Sequence, residues 1–251
     1  MAKRERYKNL TDQQLLDGMS ACYHSSQNHY KNAIFNSDNF GLGIALFIIS
    51  IEELVKANGI FHCYIGLTEQ ETIDIAFNSK DKHRTRLKMA LGLSSAYELI
   101  EKLDFTSSIE QKVQNADFQL KVNSISDLVD PEWHAALFNQ VQPLVQSEIQ
   151  KVTSSSKEIE TEFEQHTSWF LHAQNMKERG LYADLINNQW ESPLSLEQDD
   201  YQTAREHAEP IIHQVSKPIQ KMVEAPELER SVLRPMMKQF IEMSKTDDNK
   251  R

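Results

Sequence analysis

A short basic segment, KDKHRTRLK at positions 80–88, places a histidine among cations in a chain whose net charge is −10. His83 and Arg86 are three residues apart in it, so a helix would place both on one face. An imidazole moves protons near neutral pH, and a guanidinium holds phosphate oxygens. The pair therefore suits cleavage of a phosphodiester. A solvated basic face at the start of a helix would have the same composition, and the residues alone leave both interpretations open.

A second group of charges interrupts the most apolar segment, FGLGIALFIISIEELVKANGIFHCYIG at positions 40–66. At about 100° per residue, a helix through it places Lys56 between Glu52 and Glu53 on one face. Charges on a helix at the centre of a bundle are costly unless they are paired. Two interpretations follow: a polar cluster inside an all-α domain, or a surface pair of Glu52 and Lys56 where the helix reaches solvent.

A third segment carries Lys177 and Tyr182 on either side of Gly180. Glycine in a helix interior costs about 1 kcal/mol, which predicts close packing or a helix irregularity at this point. If both side chains point inward, they can reach the face that carries Glu53 and Lys56. The alternative is that Tyr182 is a packed aromatic anchor and Lys177 keeps its charge in water.

Motifs of several other enzyme classes are absent from the sequence. It contains no Cys-x-x-Cys, HExxH or EF-hand loop, and the Glu-x-x-His of di-iron bundles is missing because residue 56 is lysine. The phosphate-binding patterns GxxxxGK[ST] and GxGxxG and the hydrolase pattern GxSxG are also missing. We therefore expect neither a metal ion nor a cofactor.

The composition is that of an ordinary globular protein, with 251 residues, 39% of them hydrophobic and 25% charged. An acidic chain disfavours a broad nucleic-acid-binding surface but allows one local basic site. Cys22 and Cys63 lie in apolar surroundings, which is typical of reduced thiols. The N-terminal residues lack the apolar stretch of a signal peptide, and the longest apolar run, residues 40–51, is too short to span a bilayer. These features predict a cytoplasmic protein without membrane contact.

The elements that would position these residues are helices throughout. Glycine and proline number 7 each, apolar residues recur at helical spacing, and no stretch alternates with period two. We expect one domain over residues 1–251, with 195–245 as a helical extension that could form a separate part and a disordered tail at 246–251. Trp190 to Pro193 is a predicted loop, and Pro210 and Pro218 should bend or break their helix. The predicted helices cover about residues 11–35, 40–64, 68–77, 81–103, 107–130, 131–152, 157–187, 195–224 and 227–244.

The three segments and their order resemble the abortive-infection AbiV family. The central helix reads A-L-x-x-x-S-x-E-E-L-x-K from Ala45 to Lys56. The basic segment reads H-x-x-[KR], with the histidine at His83. The third segment reads K-x-x-x-L-Y, followed by W-x-x-P from Trp190 to Pro193. The first and third elements together are fairly specific, whereas EExxK alone is weak.

The resemblance extends over roughly residues 10–225 and implies membership of the HEPN class. Proteins of that class are helical bundles, and the resemblance implies phage defence and, as in many HEPN proteins, metal-independent RNA cleavage by a homodimer. Catalytic members carry Arg-x(4–6)-His. No arginine here is followed by histidine at that distance, and the nearest pair, Arg205 and His213, has seven residues between. The usual ribonuclease site therefore cannot be carried over to this chain.

The sequence thus predicts an all-α, HEPN-like bundle that acts in antiviral defence, with an endoribonuclease as the leading hypothesis. His83 would be the acid and base, Arg86 and Lys56 would neutralise the phosphate, and Glu53 would orient Lys56. The rival hypothesis is a non-catalytic protein that senses or binds a phage or host protein, in which the polar cluster only fixes helix register. Expected partners are a second copy, RNA, and a phage-encoded or antitoxin protein. The candidate catalytic residues are His83, Arg86, Lys56, Glu53, Lys177 and Tyr182.

Overall fold

The structure, a computed structural model, describes residues 7, 9–78, 81–102, 156–182, 184–186, 189–191, 196–232, 234–235 and 237–238. Long helices dominate these residues, and the prediction of an all-α bundle is confirmed. The predicted helices at about 107–130 and 131–152 and the predicted tail lie outside the described residues. The elements are α1 (Asp12–Phe35), α2 (Phe40–Tyr64), α3 (Glu71–Asn78), α4 (Lys82–Lys102), α5 (Ser156–Leu181), β1 (Asp184–Ile186), β2 (Gln189–Glu191) and α6 (Gln198–Glu224).

Helix α2 lies at the centre of the bundle. It packs against α1, α3, α4, α5 and α6, which explains why its sequence is apolar on nearly every side. Its residues Ile44, Phe47, Ile48 and Ile51 have no exposed surface. None of the helices in the described part of the chain is both long enough and apolar enough to cross a membrane.

Serine and glycine residues form close contacts between α2 and its neighbours α1 and α5. Ser50 Oγ donates to the carbonyl of Ser26 on α1 at 2.9 Å, so this buried hydroxyl is satisfied. At the other side, a Cβ added to Gly180 of α5 would lie 2.2 Å from the carbonyl oxygen of Gly41. The backbones of α2 and α5 therefore touch, which favours close packing over a helix irregularity as the reason for a glycine at position 180. The contact fixes the position of the α5 turn that carries Lys177.

A small β-hairpin follows α5, and here the sequence-based prediction was wrong. The helix expected to continue to about residue 187 ends at Leu181, and β1 pairs with β2 antiparallel, with Leu185 opposite Trp190. Trp190 therefore belongs to a strand rather than to the predicted loop. Strands of three residues are too short for a period-two pattern to be recognised.

Helix α6 runs unbroken through Pro210 and Pro218, although each proline removes one backbone donor and was expected to bend or break it. The buried face of the helix is mostly apolar and includes Ile211, Val215 and Ile219. Burial of this face offsets a local cost of about 3 kcal/mol for each proline.

Candidate active site

The carboxylate of Glu52 is the centre of a buried polar cluster. Glu52 is 3% exposed and lies on the part of α2 that faces both α4 and α5. Its Oε1 accepts a hydrogen bond from Lys177 Nζ at 2.5 Å. Its Oε2 contacts His83 Nδ1 at 2.7 Å and accepts from Arg86 Nη1 at 3.3 Å. The cluster thus consists of Glu52, His83, Arg86 and Lys177, and it joins three helices.

Arg86 anchors the cluster to a fourth element. Its guanidinium is buried, and its Nε donates to the carbonyl of Ala76, near the end of α3, at 2.6 Å. Carbonyls in the last turn of a helix have no partner within the helix, so Arg86 satisfies one of them. The same side chain therefore holds α3 and Glu52 at fixed positions relative to α4.

His83 is the member of the cluster that solvent reaches. It lies in the first turn of α4, and its side chain is 41% exposed. Nδ1 is bound to Glu52, and Nε2 makes no hydrogen bond to any residue that the structure describes. Lys82, Arg84 and Lys88 on the same helix are exposed. The ring thus has one nitrogen fixed by a carboxylate and stands among exposed cations.

Two groups compete for Nδ1 of His83. Lys177 Nζ lies 3.1 Å from Nδ1, in addition to its hydrogen bond with Glu52. One ring nitrogen can either donate to the carboxylate or accept from the ammonium, but not both. The contact with Glu52 is the shorter, at 2.7 Å, and an ionised carboxylate can only accept. We therefore assign the proton to Nδ1, which leaves Nε2 as the acceptor in the neutral ring.

The ionisation of Glu52 decides this assignment. Burial by itself raises the pKa of Glu52, but the hydrogen bond and charge of Lys177, followed by those of His83, outweigh it and lower the pKa below its ordinary value. Glu52 is therefore ionised at neutral pH. Two buried cations, Lys177 and Arg86, face this one buried anion.

Glu53 and Lys56 form a separate pair. Lys56 Nζ donates to Glu53 Oε1, and the side chains of Lys56 and Glu53 are 13% and 19% exposed, respectively. The lysine also lies over the ring of Phe77, with 5.4 Å between Nζ and the ring centroid. The suggested surface pair of Glu52 and Lys56 is wrong, because Glu52 is buried and its bonds go to α4 and α5.

Lys177 reaches the centre of the bundle, as one interpretation of the sequence required, but its partner is Glu52 and not Glu53. Tyr182 does not accompany it. Tyr182 is 65% exposed, and the hydrogen bonds described within the cluster do not include it. The reason is geometrical, because α5 ends at Leu181 and a residue five positions after Lys177 lies on a different face.

Comparison with protein families decides the relationship of this chain. The family model HEPN_AbiV, described as AbiV, matches residues 14–213.

The chain belongs to the AbiV family of HEPN proteins.

Searches among curated proteins and among solved structures found no match. The family match includes Glu52 and all six residues that the sequence singled out.

Arg205 and His213, the pair in this AbiV chain whose spacing is nearest to the HEPN motif, belong to a polar group separate from the Glu52 cluster. Arg205 Nε donates to Glu209 Oε2 at 3.2 Å. Tyr30 of α1 donates to Glu209 Oε1 at 2.6 Å, and its hydroxyl lies 3.4 Å from His213 Nε2. In the described residues this group has no contact with the Glu52 cluster.

Sequence reasoning missed the central role of Glu52, although a signal was present. Ile48 and Val55 lie one turn before and one turn after Glu52 on the same face of α2, and both are fully buried. The face of Glu53 carries the cation Lys56 instead.

Among the described residues, no three histidine, cysteine or acidic side chains are arranged to hold a metal ion.

Proposed function

We propose that this AbiV protein is an endoribonuclease of abortive-infection defence against phage and that it cleaves RNA in the cytoplasm without a metal ion. The observation that supports the proposal most is the environment of His83. A buried carboxylate binds Nδ1, while the ring remains 41% exposed and Nε2 has no described partner. A histidine oriented in this way by a carboxylate is the arrangement in which imidazole acts as a general base.

The proposed reaction needs one proton transfer in each direction. His83 Nε2 removes the proton from a ribose 2′-hydroxyl, and the oxygen attacks the adjacent phosphorus. Glu52 stabilises the imidazolium that forms, because its carboxylate accepts from Nδ1. The bond between phosphorus and the 5′-oxygen breaks, and Nε2 returns the proton to that oxygen. The products are a 2′,3′-cyclic phosphate and a 5′-hydroxyl.

The negative charge that develops on the phosphate requires nearby cations. Lys82 and Arg84 flank His83 and are exposed, so we assign the phosphate contacts to them. Arg86 is buried and bonded to Glu52 and Ala76, which supports a structural role for this residue rather than the direct phosphate contact first expected. Lys56 is occupied by Glu53, so these two residues have a supporting part in the proposal.

A second candidate function is a non-catalytic protein that binds a phage or host protein. It is favoured by the burial of Lys177 and Arg86, both 6% exposed, because these cations donate hydrogen bonds to groups within the protein and not to a substrate. In this case the Glu52 cluster only fixes how the helices align. The exposed ring of His83 favours the ribonuclease.

The deciding experiment compares RNA cleavage by the wild type, His83→Gln and His172→Gln in buffer with EDTA. His172 is a matched control, since it is exposed on α5 and, among the described residues, binds the carbonyl of Ser168 within its own helix. We expect fragments with cyclic phosphate ends from the wild type and the control, and none from His83→Gln. Phage protection in cells should be lost in parallel. If His83→Gln still protects cells, the non-catalytic function replaces the ribonuclease.

A further inference from the structure

Lys177 contacts two groups of the Glu52 cluster at once. Its Nζ lies 2.5 Å from Glu52 Oε1 and 3.1 Å from His83 Nδ1. It is 6% exposed, so water does not readily replace either contact. The backbone contact between Gly180 and Gly41, one turn later on α5, restricts how far Lys177 can move away. A buried donor thus stands beside the ring nitrogen that Glu52 occupies.

Glu52 and Lys177, the two neighbours of Nδ1, favour opposite tautomers of the His83 ring. Glu52 requires a proton on Nδ1, which leaves the Nε2 lone pair exposed as a base. Lys177 can donate only to an unprotonated Nδ1, and Nε2 then carries the proton and is a hydrogen-bond donor instead of a base. Arg86, the remaining charged group that the structure describes in this cluster, binds the same oxygen of Glu52 as His83 does and cannot accept a proton.

We propose that Lys177 is a positioning residue that makes the tautomer of His83 depend on the Glu52 carboxylate. While Glu52 holds Nδ1, the exposed Nε2 can act as a base; without the carboxylate, Lys177 donates to Nδ1 and the exposed Nε2 carries the proton, so it can no longer accept one. The effect of this change of tautomer on catalysis rests on the proposed ribonuclease function. The tautomer itself is measurable whether or not the protein cleaves RNA.

The test is nitrogen NMR of the full-length protein with labelled histidine rings, in alkaline buffer where imidazoles are neutral. The chain has 9 histidines, and the signals of His83 are identified by their loss in His83→Gln. In the wild type and in Lys177→Met, the proton should be on Nδ1. In Glu52→Met, we expect the Nε2-protonated form in at least tenfold excess. In the double variant Glu52→Met/Lys177→Met, the ratio should return to that of His24, an exposed histidine on α1 that serves as the internal reference.

Several outcomes would overturn the inference. A wild-type ring that is protonated on Nε2 would overturn it without any measurement on the Glu52 or Lys177 variants. This result remains decisive if Glu52→Met fails to fold. Equal tautomer ratios in Glu52→Met and the double variant would show that Lys177 has no part in the choice. A switch that occurs as expected in a protein that leaves RNA intact would support the inference and reject the ribonuclease.

Discussion

Replacing Glu52 by glutamine tests whether the cluster is a buried charge network. The substitution keeps the volume of the side chain but removes the carboxylate charge that accepts from Lys177 and Arg86, which are each only 6% exposed. Removing one partner of a buried pair costs about 3–5 kcal/mol, because the other charge is left uncompensated. For a domain of this size, we expect the melting temperature to fall by roughly 6–20 °C.

Glu53→Gln is the matched control, one residue away on the same helix. Its pair with Lys56 is partly open to solvent, so the expected loss in the free energy of unfolding is about 1 kcal/mol. Urea denaturation and thermal melting of the three proteins measure both effects. Equal losses in the two variants would refute the reasoning, because they would show that burial does not distinguish Glu52 from Glu53.

The stability of the wild type and that of Glu52→Gln should depend differently on pH. The pKa of Glu52 is lowered in the folded state, so its stabilising contribution is complete above the ordinary glutamate value and is lost as the pH falls through the folded-state pKa. Glutamine does not titrate. The difference in free energy of unfolding between the wild type and Glu52→Gln should therefore shrink as the pH falls below about 4. A difference that stays constant down to about pH 3 would contradict the ionisation assigned to Glu52.

Three further predictions concern the helix contact, the RNA surface and the assembly. Gly180→Ala should destabilise the protein by about 1–3 kcal/mol, because the added Cβ meets the carbonyl of Gly41, whereas Gly92→Ala, with nothing within 4 Å of its Cβ, should be neutral or stabilising in thermal melts. Lys82→Gln/Arg84→Gln should weaken RNA binding and reduce the salt dependence of log K by about 0.7 for each phosphate that is no longer neutralised, and an unchanged slope would show that these two side chains do not bind the RNA backbone. Light scattering should report about twice 29.0 kDa, as expected for a homodimer, and a monomer at all concentrations would refute it.

Helical periodicity was sufficient to predict much of the fold. The bounds of α1 and α2 follow from apolar spacing and from the polar turn between them, because each helix buries a continuous face. The hairpin after α5 could not be predicted, since its pairing depends on bonds between two strands of three residues each. Of the bend or break expected in α6 at Pro210 and Pro218, the break does not occur, and the packing of the buried face that supports the helix there is tertiary.

The candidate site shows where local spacing stops being informative. Spacing within one helix pairs Lys56 with a glutamate on its own turn, and this pair is present, with Glu53 as the partner. The partners of Glu52 come from residues 31 to 125 positions away, and only the packing of α4 and α5 on α2 brings them together. A carboxylate flanked on its own face by Ile48 and Val55 must nevertheless find cations somewhere, because an unpaired buried charge is too costly. The sequence therefore predicts that Glu52 needs such partners, while their identity depends on the tertiary structure.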